Sequence, residues 1–126
     1  MKRFWIGICV LALLLAGGWV TTVAIERAHA PISRDLALAS QAALDGDWNA
    51  AVQFSESATE KWLRCQDFTA AFTDHGVLEE MDTLFAEVAV YRQAQSYLSF
   101  AAVCAHLSRL ADAVAQSHLP KWQNLL

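Results

Sequence analysis

The first 25 residues contain an unbroken apolar run, Phe4 to Ile25, of 22 residues without a charge. At about 1.5 Å of rise per residue, a helix of that length extends roughly 33 Å, enough to cross the hydrocarbon core of a bilayer. Beyond it the apolar positions recur at helical spacing. Ile32, Leu36, Ala39 and Ala43 step by four, three and four after Pro31, which opens the segment. Asp45-Gly46-Asp47 breaks that stripe, because glycine tolerates a left-handed helix cap and the Asp47 carboxylate can cap the helix that follows. From Trp48 the series Trp48, Ala51, Ser55, Ala58, Trp62, Cys65, Thr69, Phe72 keeps the three-four alternation without a slip and predicts the clearest helix outside the membrane. Thr73-Asp74-His75-Gly76 ends it and supplies a cap to the next helix, whose first turns hold Glu79, Glu80 and Asp82, where a helix N-terminus favours acids. Its inner stripe reads Val77, Met81, Leu84, Val88, Tyr91, and a last stripe reads Tyr97, Phe100, Cys104, Leu107, Ala111, Val114 before Pro120.

Arg92 to Ser96 holds neither Gly nor Pro. A single helix from 77 to 118 would nevertheless run about 63 Å, far beyond what the shorter second helix can cover, so the pattern predicts a turn near Gln93 to Gln95. The expected fold is all-α, a transmembrane helix followed by a small antiparallel bundle of about four helices. The expected boundaries are 1–3 for a cytoplasmic N-terminus, 4–25 for the transmembrane helix and 26–126 for an extracytoplasmic helical domain.

Lys2 and Arg3 precede the apolar run and Glu26, Arg27 and His29 follow it, so the positive-inside bias holds the N-terminus in the cytoplasm of a plasma membrane. A cleaved secretory signal is the rival, since Ala28-His29-Ala30 imitates an A-x-A site. The run exceeds the 7 to 15 residues of a signal's apolar region, and Pro31 would hinder a peptidase at the next bond. Cys9 lacks a lipobox, because Ile8 stands where Gly or Ala is needed. Ala12 with Ala16, Gly17 with Thr21 and Gly18 with Thr22 would permit close helix packing in the bilayer.

Charge narrows the partners. With Lys2 and Arg3 inside, seven basic residues face thirteen acidic ones after the span, a net of −6. Clustered Lys and Arg are needed to neutralise phosphates, so nucleic acid is excluded as a partner, and adhesion to an anionic lipid surface is disfavoured. A domain of about a hundred residues with Gly46 and Gly76 as its interior glycines reads as one unit without a flexible linker.

Leu38-x3-Ala42, Gly46-Asp47-Trp48-x2-Ala51 and Phe54-x3-Ala58 resemble one tetratricopeptide (TPR) hairpin, in which small residues let two helices approach; no second copy follows about 34 residues on. Across nearly the whole chain, the basic N-terminus, single span, Asp47-Trp48, Trp62, Asp74-His75 and terminal Asn124-Leu125-Leu126 resemble the family called domain of unknown function 4363, small single-span proteins of Gram-positive, often spore-forming bacteria. The resemblance implies a membrane-anchored helical domain and no established activity. Where that family tends to place acids after the Asp-His, this chain has Gly76 and Val77, which weakens a capping box at Asp74.

The chemistry-bearing residues are sparse. Asp74, His75, Glu79 and Asp82 would form the start of a metal site, but two ligands on one helix without a second His or Cys at matching spacing read better as a solvated acidic turn. His106 and His118 have no assignable nucleophile beside them, and no phosphate loop or paired-carboxylate signature occurs. No cofactor or metal is expected. Trp48 and Trp62 fall on the inward stripe and read as core. Trp122, Leu125 and Leu126 stand outside the helical pattern and form the candidate partner-binding patch. Cys65 and Cys104 both lie on inward stripes facing an oxidising compartment and form the candidate disulfide, with buried reduced thiols as the alternative. The expected role is a protein-binding or scaffolding module of the cell envelope, in contact with the bilayer and another envelope or membrane protein, and not an enzyme. The rivals are a small metal-dependent hydrolase using Asp74, His75 and Glu79, and an accessory subunit of a membrane complex.

Overall fold

Two left-handed residues set where helices end. Gly46 sits at φ +84, with its N–H bonded to Ala43 O (3.3 Å) and the Asp47 N–H to Ala42 O (2.9 Å), the paired closure of a Schellman motif. Gln95 does the same at φ +55, its N–H on Arg92 O and the Ser96 N–H on Tyr91 O. A side chain in that region costs about 1 to 2 kcal/mol; Gln95 bears that cost, and so neither glycine nor proline marks this turn in the sequence. Between these ends the computed structural model describes residues 1–117, with side chains through Gln116. It consists of α1 Lys2–Leu44, α2 Trp48–Ala70, α3 His75–Ala94 and α4 Tyr97–Ser117. Asp47 caps α2 through Ala50 N (3.2 Å), and Asp74 caps α3 through Gly76 N (3.1 Å).

The apolar run and the first bundle helix are one element. α1 runs 43 residues, roughly 64 Å, straight through Pro31. The expected segment start at Pro31 is therefore corrected. An interior proline costs about 3 kcal/mol, yet Ile25, Ile32 and Leu36 are each wholly buried on the same face, and each buried aliphatic side chain contributes about 1.5 to 3 kcal/mol, so packing on α2 and α4 outweighs the break. Residues 4 to 20 are all exposed, Thr21 to Ala24 are half-buried, and Ile25 has no exposure. The bundle thus begins within the last turn of the apolar run, with no linker.

The four helices close a ring: α1 packs most closely on α4 and α2, α3 on α4, and α2 touches α3 least. The α1–α2 hairpin turns at 45–47, where Asp45-Gly46-Asp47 interrupts the apolar stripe, and α4 packs on the other side of α1. α1 and α4 approach closely enough for side chains to reach the opposite backbone. Ser108 Oγ donates to Ser33 O (2.8 Å), Ser33 Oγ to Ser108 O (3.1 Å), and Ser40 Oγ to Ala101 O (2.8 Å). The pairs 33/108 and 40/101 are seven residues apart on both helices, which fixes the antiparallel register.

The core is Ile32, Leu36, Ala39, Ala43, Ala51, Ala58, Trp62, Met81, Val88, Phe100, Cys104, Leu107 and Ala111 with their neighbours. On α3 the buried stripe is Leu78, Met81, Leu84, Phe85 and Val88. Val77 and Tyr91, expected inward, are half-buried, because α3 rests mainly on α4 and turns Leu78 and Phe85 inward. Phe72 and Tyr97, also expected inward, are exposed at the two ends of the bundle. By length and composition the stretch Tyr97–Gln116 would also cross a bilayer, but 44% of its apolar window is buried in the bundle against 6% for α1.

Candidate functional site

A line of polar groups lies inside the bundle, each held by the periodicity of its helix. His29 falls four residues after Ile25 and three before Ile32 on the buried face of α1, with no exposure. Its Nδ1 lies 2.9 Å from Ile25 O and its Nε2 3.3 Å from Thr69 Oγ1 on α2. The Trp62 ring meets His29 edge-on at 6.1 Å, stacks on Phe85 at 5.8 Å, and donates Nε1–H to Asp82 Oδ1 (2.8 Å). About 9 Å further along α1, six residues on, the buried Asp35 carboxylate accepts from Lys61 Nζ (2.6 Å) and Ser57 Oγ (2.8 Å). A buried carboxylate is tolerated when its charge is paired and hydrogen-bonded, and Asp35 receives both the Lys61 ammonium and the Ser57 hydroxyl at Oδ2. Arg92 Nη1 reaches across from α3 to donate to Ser55 Oγ (3.1 Å). Every buried side-chain nitrogen and oxygen among the described residues has a partner. Such a fully satisfied network specifies helix register.

The sequence-predicted site residues are differently placed. Asp74 is the cap of α3, His75 and Glu79 are exposed, and Asp82 is committed to Trp62. Among the described residues no three His, Cys, Asp or Glu side chains converge as metal ligands. His106 Nε2 stands 3.9 Å from Glu80 Oε1 on the surface. Cys65 is half-buried and Cys104 buried, and both stand as free thiols in this structure. Burial pushes the Cys65 thiol up, opposed by its hydrogen bond with Thr69, and pushes Cys104 up to about 12, opposed by the Arg92 charge. Both are therefore protonated near neutrality, with the low reactivity of buried structural thiols. Trp122, Leu125, Leu126 and His118 lie outside the described residues.

Two apolar features reach the surface. At the end of the bundle away from the apolar run, Leu44, Tyr97 and Leu98 are 58%, 50% and 77% exposed, with Trp48 packed edge-on against Tyr97 (4.8 Å) and Phe100 (4.9 Å). At the end nearest the apolar run, a recess of about 340 Å³ opens between Phe72, Val77, Leu110 and Val114, with Asp74 also in its lining.

The fold defines a class: an all-α bundle whose first helix continues into a long apolar segment of the kind found in membrane anchors and signal sequences. Within that class the chain belongs to the family described as a domain of unknown function (DUF4363), whose model matches residues 20–125. The match begins at the last exposed residue of the apolar run, Val20. No curated protein and no solved structure matches the chain.

Proposed function

We propose that the protein is a single-pass anchor with a cytoplasmic N-terminus that carries a scaffolding bundle on the outer face of a bacterial plasma membrane, contacting another envelope protein through its far end. The supporting observation is that Ile25 and His29, wholly buried in the bundle, sit on the same helix as the exposed run 4–20. Cleavage after Ala30 would remove both from the core, so a retained anchor is the state in which the bundle is complete. Lys2 and Arg3 before the run support the orientation. Leu44, Tyr97 and Leu98 support the contact, because they are exposed apolar side chains roughly 28 Å beyond residue 25 along the helix axis, rimmed by Asp45 and Asp47. In this reading the unbroken α1 holds that face at a fixed height above the bilayer.

A reporter enzyme fused after Leu126 is expected to be active only outside the cytoplasm. In native membranes, a photo-crosslinking residue at Leu98 is expected to give one discrete protein adduct, lost when Leu44→Asp is added. Reporter activity inside the cell contradicts the orientation, and an adduct pattern unchanged by Leu44→Asp contradicts the contact face.

A further inference from the structure

The His29–Thr69 contact sets the height of the α2–α3 turn relative to the apolar run. Phe72 lies three residues beyond Thr69 and so about 4.5 Å nearer the membrane, level with about residue 26 of α1. The 33/108 register places Val114 level with residue 27 and Leu110 with residue 31. The recess between α3 and α4 and the ring pair Phe68–Phe72 (centroids 5.3 Å apart) therefore lie at the outer edge of the apolar run, not at a remote face. Phe68 and Phe72 are 42% and 47% exposed there. Thr21 to Ala24 are already half-buried, so no spacer lifts this end away from the bilayer. Apolar side chains at a bilayer edge are stabilised by insertion about 5 to 10 Å into the boundary between headgroups and acyl chains.

We infer that the span end of the bundle is a lipid-binding surface, with Phe68 and Phe72 bedded in the interfacial layer and the recess lined by Phe72, Val77, Leu110 and Val114 taking the acyl chain of an outer-leaflet lipid. The inference rests on the membrane-anchor reading. It goes beyond that reading in making the bundle itself, and not the span alone, a lipid contact. Asp67, Asp74 and Asp112 near this end make the attraction apolar and not electrostatic, since acids are repelled by anionic headgroups.

The test uses the full chain reconstituted in vesicles of phosphatidylethanolamine and phosphatidylglycerol, with p-benzoylphenylalanine replacing Leu14, Phe72 or Leu98 in turn. All three side chains are exposed, and helicity of each variant is checked by circular dichroism. After irradiation, lipid adducts are expected at positions 14 and 72 and not at 98. Adducts at 14 without adducts at 72 overturn the inference and leave the anchor standing, whereas no adduct at 14 overturns the anchor and the inference together. A position 72 adduct to residues 118–126 or to a second copy, in place of lipid, assigns the recess to protein and overturns the inference. Equal labelling at 98 would lay the bundle along the surface and also overturns it.

Discussion

Trp62→Ala is expected to lower the unfolding free energy by about 3 to 5 kcal/mol, the cost of a large-to-small change in a packed core. Trp62 is 2% exposed and joins three helices: it stacks on Phe85 of α3, meets His29 of α1 edge-on, and bonds Asp82 through Nε1. The substitution removes all three contacts at once, and the Asp82 carboxylate, itself exposed, simply regains water. Trp62→Phe separates the contributions, because it keeps a ring against Phe85 and loses the hydrogen bond, worth about 0.5 to 1.5 kcal/mol. Urea unfolding of the bundle measures both. A loss below about 1 kcal/mol for Trp62→Ala would mean that the inward face of α2 is misassigned.

A fragment that starts at residue 31 is expected to be less stable than one that starts at residue 21, by about 3 to 5 kcal/mol. The shorter fragment lacks buried Ile25, worth about 1.5 to 3 kcal/mol, and the His29–Thr69 hydrogen bond, and it exposes the ring of Trp62 that His29 covers. The pattern alone made Pro31 the natural start of a soluble helical domain. The folded arrangement moves that start back to the last turn of the apolar run. Equal stability of the two fragments, measured by thermal unfolding under identical conditions, would show that residues 21 to 30 are not part of the core.

What was legible followed from spacing. The three-four stripe of α2 identified Ala51, Ser55, Ala58, Trp62 and Thr69 as inward, and all five are buried. Asp47 and Asp74 were readable as caps because a carboxylate before a helical stripe has few other roles. The continuity of α1 was also present, since Ile25, His29, Ile32, Leu36, Ala39 and Ala43 step four, three, four, three, four across Pro31. It was obscured because proline is a strong local signal and the packing that overrides it is tertiary. His29 and Asp35 are not legible as core for a related reason: a count of apolar positions gives no weight to a polar residue on the buried face, and their partners Thr69, Ser57 and Lys61 belong to another helix. The serine contacts between α1 and α4 could not be read at all, because they depend on which helices become neighbours. The Gln95 turn was found only by the length argument, since a left-handed glutamine leaves no mark in composition.

The apolar run and the first core helix of the bundle are a single helix, and the proposed anchor requires it to stay intact in the mature protein. Intact mass and N-terminal sequencing of the protein purified from the membrane fraction test it most directly. A chain still carrying residues 1 to 30 is the result expected, because Ile25 and His29 are core residues; a soluble form beginning at Pro31 as the main product would contradict it.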